Sequence, residues 1–171
     1  MLGKMGDGQQ KIVPCLMYVQ GQNGKAEEAI NLYTRSFADA RIHFLDRYQA
    51  GEGNREGIVK HAQFDLCGER FVAMDGGEGH AFNFNEALSL QIMCETQAEI
   101  DDYWEKLIAD GGEESYCGWL KDKFGVSWQV SPTVLYDMLR GPDTERAQRA
   151  MAAMFQMRKF DIAALQKAFE G

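Results

Sequence analysis

A chain of 171 residues with 18 Lys plus Arg against 26 Asp plus Glu carries a formal net charge of −8, a field that repels phosphate backbones and anionic lipid surfaces. Its 45% hydrophobic and 26% charged residues are those of a folded protein, which excludes disorder as the main state and suits one domain or two small fused modules. No apolar run reaches the roughly 20 residues of a membrane helix, residues 1–10 lack a signal-peptide core, and Cys15, Cys67, Cys94 and Cys117 form no C-x-x-C pair. The expected setting is therefore the cytoplasm, with reduced thiols and with neither nucleic acid nor membrane as partner.

The apolar run 12–19, ended by Gln20-Gly-Gln-Asn-Gly24, predicts a first strand. From Ala26 the apolar positions Ala26, Ala29, Ile30, Tyr33 and Phe37 recur at helical spacing, which predicts an amphipathic helix covering a sheet. Strands follow at 41–48, 58–66 and 71–74, the last after a Cys67-Gly68-Glu69-Arg70 turn. A second block repeats the order: a strand at 88–94, a helix at about 98–109 with Ile100, Tyr103, Trp104 and Leu107 on one stripe, and strands at 117–120 and 126–130. Two copies of one βαβββ module account for this order. Beyond Pro132 the pattern turns helical, at 133–139, 144–157 and 161–169. Met151, Met154 and Met157 beside Phe155 form a contact face for the chain's own domain, for a second copy or for a partner.

The Gly-rich segment Met74-Asp75-Gly76-Gly77-Glu78-Gly79 follows a strand but opens no helix, so it reads as a connecting turn rather than an anion or cofactor loop. His43, His61 and His80 lack the spacing that puts two imidazoles on one ion, and no G-x-S-x-G elbow occurs. Trp104, Trp119 and Trp128 are expected mostly in the core. The strand at 88–94 alternates: Leu88, Leu90, Ile92 and Cys94 oppose Ser89, Gln91 and Met93, as Val126, Trp128 and Val130 oppose Ser127 and Gln129. One face packs a helix and the other offers Ser and Gln to water or to a small ligand.

The strand-plus-Glu-Glu-Ala-Ile-x-x-Tyr helix, Phe64-Asp-Leu-Cys-Gly-Glu-Arg-Phe-Val-Ala-Met-Asp-Gly-Gly77, Ser89-Leu-Gln-Ile-Met-Cys94, Cys117-Gly-Trp-Leu-Lys-Asp-Lys-Phe-Gly-Val-Ser-Trp-Gln129 and the helical tail together resemble PhnB-like proteins. These belong to the vicinal-oxygen-chelate superfamily of glyoxalase I, bleomycin-resistance proteins and extradiol dioxygenases. The resemblance runs from about residue 11 to 171. It implies an α+β fold in which two βαβββ modules form a curled mixed sheet around a cavity, with a helical C-terminal extension, commonly completed in a homodimer. Within a single domain over 11–171, module one is about 11–77, module two about 86–132 and the tail about 133–171.

Enzymes of the superfamily hold a divalent metal with His or carboxylate ligands, and glyoxalase-like chains carry an Asp-x-x-Gly-x-x-x-Glu pattern whose Glu is a ligand. Here Asp122-Lys-Phe-Gly-Val-Ser-Trp-Gln129 keeps the frame and presents Gln129, while Ser89 stands where a His is usual and the first strand offers Pro14 or Leu16. Hard divalent ions need anionic or imidazole donors, so the expectation is a cup without the usual metal and without a cofactor. The family is also labelled 3-demethylubiquinone-9 3-methyltransferase. Three functions remain open, one of them an assembly role through the helical tail. A binding cup would use Ser89, Gln91 and Gln129 as hydrogen-bonding groups, with Tyr18 and Phe84 as walls. An enzyme would instead use a metal, or Asp75 as acid or base or the thiol of Cys117, on a small oxygenated substrate.

Overall fold

The computed structural model describes residues 10–53, 55–77 and 79–171. Glu78 of the Gly-rich segment and most of the polar N-terminal stretch lie outside the described residues. The chain divides into two compact units after Asn83.

In the first unit, strand β1 (Cys15–Val19) leads into helix α1 (Ala26–Ser36), followed by β2 (Arg41–Arg47), β3 (Val59–Leu66) and β4 (Glu69–Gly77). The strands order β1-β4-β3-β2, with β1 parallel to β4 and the remaining pairs antiparallel. Ala26, Ala29, Ile30 and Tyr33 of α1 are buried, and Tyr33 stacks on Phe64 of β3 at 6.5 Å between ring centroids. The helical spacing read in the sequence therefore marks the sheet-facing stripe. The strand β4 extends through Gly77, whereas the sequence placed a turn from Met74 onward. Ladder pairing of Tyr18 with Asp75 and Val19 with Gly77 carries the strand onward despite the glycines. Close approach explains Gly76, where a Cβ would stand 2.7 Å from Val19 Cγ1.

The second unit repeats the plan with β5 (Ser89–Cys94), α2 (Gln97–Ile108), β6 (Glu113–Glu114), β7 (Trp119–Lys121) and β8 (Ser127–Pro132), in the order β5-β8-β7-β6. Thr96 and Glu99 close a reciprocal capping box at the start of α2. Ile100, Trp104 and Leu107 bury against the sheet, whose Ile92, Leu120, Trp128 and Val130 are also buried. The short β6 completes the βαβββ order, a strand that the sequence pattern left unplaced.

Helices α3 (Thr133–Arg140), α4 (Thr144–Met154) and α5 (Ile162–Glu170) follow in the same unit. Helix α4 stops at Met154 rather than 157, where the amides tighten to i→i+3 bonds, Gln156 N to Ala153 O and Met157 N to Met154 O; beyond it Met157 O accepts from Cys117 N and Arg158 O from Gly118 N, each at 2.8 Å. Of the methionine face, Met151 is 40% and Phe155 57% exposed, and Met154 and Met157 are half-buried. Among the described residues no helix is long and apolar enough to cross a membrane.

Candidate functional site

The β7–β8 turn sets which side chains of the second sheet leave the core. The carboxylate of Asp122 is buried, its Oδ1 accepting the N–H groups of Phe124 (2.9 Å) and Val126 (3.1 Å) and its Oδ2 accepting Trp128 Nε1 at 2.9 Å. Gly125 N closes the turn on Asp122 O. The Asp122-x-x-Gly125 frame is thus a turn device that seats Trp128 under α2, and pleat alternation then sends Ser127 and Gln129 to the opposite face.

On that opposite face the registers align Ser89 with Ser127, Gln91 with Gln129 and Trp119 with Gln129. Gln129 Nε2 donates to Ser89 Oγ at 2.8 Å. Gln91 Nε2 donates to the hydroxyl of Tyr136 on α3 at 2.5 Å and lies 3.4 Å from Ser131 Oγ. The structure therefore brings Ser89, Gln91 and Gln129 together in one polar row, and Tyr136 joins it from the tail.

Beside this row lies a cavity of about 480 Å³, whose lining includes Glu86, Glu113, Trp119, Lys121 and Ser127. Lys121 Nζ pairs with Glu86 Oε1 at 2.5 Å. Ser127 is 1% exposed, and its Oγ finds no hydrogen-bond partner among the described residues. A buried hydroxyl left unpaired is costly in a folded protein and marks a place where a ligand group would be welcome.

The other side chains singled out in the sequence take different places. Tyr18 is fully buried on the helix-covered side of its sheet, its hydroxyl 3.2 Å from that of Tyr33, so it is a core residue rather than a wall of the open face. Asp75 faces the same side. Its Oδ1 accepts the N–H groups of Gly24 (2.8 Å) and Ala26 (3.2 Å), and its Oδ2 accepts that of Val59 (2.8 Å). Burial raises the Asp75 pKa above the usual carboxylate value while those N–H groups pull it back. A carboxylate so engaged ties the start of α1 to β3 and β4 and is not free to move a proton. Phe84 is half-buried beside the β7–β8 turn, its Cβ 3.9 Å from where a Cβ on Gly125 would stand.

Cys117 does line the cavity, but burial pushes its thiol pKa up, and its Sγ lies 3.7 Å from Met154 O. A raised thiol pKa keeps it protonated and weakly nucleophilic at neutral pH. Of the three tryptophans, expected mostly in the core with a cavity wall as the alternative, Trp119 lines the cavity, while Trp104 and Trp128 are core. The signal for this was local: Trp119 and Lys121 flank the buried Leu120 in period two.

Sequence reasoning also passed over a cluster on the first sheet. Asp65 accepts from Arg70 Nε at 2.6 Å and lies 2.6 Å from His43 Nε2. The Arg70 hydrogen bond, with His43 adding to it, holds the Asp65 carboxyl below its usual range.

Donor chemistry decides how a divalent metal would fare at the second sheet. Ser89 and Gln129 are neutral and bonded to each other. Among the described residues no three His, Cys, Asp or Glu side chains converge on a point that could hold an ion. The residues present do not fit the superfamily's usual metal set.

Against known proteins, residues 10–131 match the family described as 3-demethylubiquinone-9 3-methyltransferase. A PhnB protein from Bacillus cereus, which carries that methyltransferase description, is similar at 40% identity and a TM-score of 0.67, over 72% of this chain and 100% of that one. A Pseudomonas aeruginosa protein is similar at 21% identity and a TM-score of 0.57, over 72% and 98%. The fosfomycin resistance protein FosX from Listeria monocytogenes, solved with Mn(II) and sulfate, shares the fold at 16% identity and a TM-score of 0.52, over 80% and 100%. None of the curated proteins matches. The match to the family stops short of α3, so the helical tail lies beyond it. With more than half its length matched and a relative at 40% identity aligned over that relative's whole length, the chain belongs to the PhnB-like family of the vicinal-oxygen-chelate superfamily.

Proposed function

We propose that the open face of the second sheet is a recognition site for a small, partly polar molecule and works without the superfamily's usual metal. The observation that supports this most is the row of neutral groups beside the cavity, with Gln129 bonded to Ser89 and Gln91 bonded to Tyr136. Paired amides offer directional donors and acceptors at fixed positions, which suits recognition better than proton transfer.

Methyl transfer, which the family description names, gains no support from the Gly-rich segment. Met74 through Gly77 are the end of strand β4, and no helix opens among the described residues before β5. We assign one functional domain to residues 11–171 and a homodimer as its working form, on the strength of the family. We also assign a cytoplasmic setting, in which the four cysteines would be reduced thiols.

Native mass spectrometry of freshly purified, untagged protein, paired with elemental analysis, tests the proposal. A metal-free species carrying a small organic adduct is expected. A stoichiometric divalent metal would overturn it.

A further inference from the structure

The cavity beside the polar row differs from it in charge. Glu86, Glu113 and Glu114 stand around it with Lys121 as the single cation of its lining. That lysine is already committed to Glu86 at 2.5 Å. Glu113 lies opposite Lys121 in the β6–β7 register, yet forms no ion pair among the described residues. The lining itself therefore offers an anionic ligand no uncommitted positive group and surplus negative charge, in a chain whose net charge is −8. A cation meets the reverse.

Two further observations point the same way. The buried Ser127 Oγ, unpartnered among the described residues, belongs to the lining and can accept an N–H. Arg158 stands outside the lining and is turned onto the Tyr116 ring, its guanidinium 4.8 Å from the centroid, donating from Nη1 to Glu114 O at 3.1 Å. Trp119 supplies an apolar wall.

We infer that the cavity takes a small organic ammonium ion with an apolar body, its charged end held by Glu113 and Ser127 and its body set against Trp119. The inference rests on the reading of this face as a small-molecule site and names the class of ligand.

Amide chemical shifts of the isotope-labelled full chain, titrated separately with 2-phenylethylammonium, 2-phenylethanol and 3-phenylpropanoate, test it. The ammonium is expected to shift Trp119, Lys121 and Ser127 saturably, about tenfold more tightly than either isostere, with an affinity that falls as salt rises. Glu113→Gln, at an exposed position that leaves the fold intact, removes most of that preference. Equal or tighter binding of the alcohol or the carboxylate at the same amides overturns the ammonium inference and leaves small-molecule binding standing. Silence from all three probes also overturns it, and the adduct measurement then decides the broader reading independently.

Discussion

Gln129 Nε2 sits 2.8 Å from Ser89 Oγ, joining the parallel strands β5 and β8 by side chains on the face turned away from α2. In the glyoxalase-like pattern a glutamate would hold this position as a metal ligand. Here the amide spends its donor on a neighbouring hydroxyl and leaves its oxygen for an incoming donor. The frame around it survives because Asp122 and Gly125 are needed to fold the turn, whatever occupies the last position.

Asp75 is expected to act on stability rather than on chemistry. Asp75→Ala strands the N–H groups of Gly24, Ala26 and Val59 and lowers unfolding free energy by about 3 kcal/mol, whereas Asp75→Asn, which keeps one acceptor, costs less. Urea unfolding midpoints of the two variants check this. An unchanged midpoint for Asp75→Ala would contradict the assignment.

Acid sensitivity should trace in part to Asp65. Its carboxyl is held below the unfolded value, first by the Arg70 hydrogen bond. A depressed folded pKa contributes stability that is present above the unfolded value and is lost as pH falls through the folded one. Asp65→Asn is therefore less stable than wild type at pH 7, and the gap closes below about pH 4. Thermal melts across that range would show it, and a gap independent of pH would refute it.

Gly118 is the tightest point of the rim. It has φ +78°, and a Cβ there would stand 2.7 Å from Val130 O and closer still to the Phe160 ring. Gly118→Ala should cost more than about 2 kcal/mol. Gly68→Ala, at φ +81° with nothing within 4 Å, should cost only the left-handed penalty of about 1 kcal/mol. Denaturant titrations of both separate the crowding from the backbone term, and equal losses would remove the role given to Phe160.

Much of this architecture was legible in the chain. The periodicity of α1 and α2 marked their buried stripes, and the alternation in β5 and β8 put Ser89, Gln91 and Gln129 on a common face. What escaped depended on partners distant in sequence or on single-residue parity. Tyr18 went to the core because strand parity, not residue type, chooses the face. The bonds that immobilise Asp75 come from residues 24, 26 and 59, about 16 to 51 positions away, and nothing local announces them. Glu113-Glu114 carries no strand signal of its own, and β6 exists because β7 offers it an edge. The shape of the 114–118 rim is set by tail carbonyls at Met157 and Arg158, some 40 residues downstream.

That dependence makes the tail a brace for the site. Arg158→Ala removes the bond to Glu114 O and the stacking on Tyr116, while the backbone bonds to Cys117 and Gly118 remain. Hydrogen exchange at 115–118 is expected to quicken several-fold with little change in global stability. Unchanged exchange there would show that the side chain plays no part in holding the rim.

The central claim, a metal-free recognition face built on Gln129 and Ser89, is tested most directly by native mass spectrometry of wild type beside Gln129→Ala and Ser89→Ala, with elemental analysis of each. The account predicts an organic adduct on metal-free wild-type protein that is lost or strongly reduced in both variants, with their folded charge-state distributions unchanged. A divalent metal bound stoichiometrically to wild type, or an adduct retained undiminished in both variants, would contradict it.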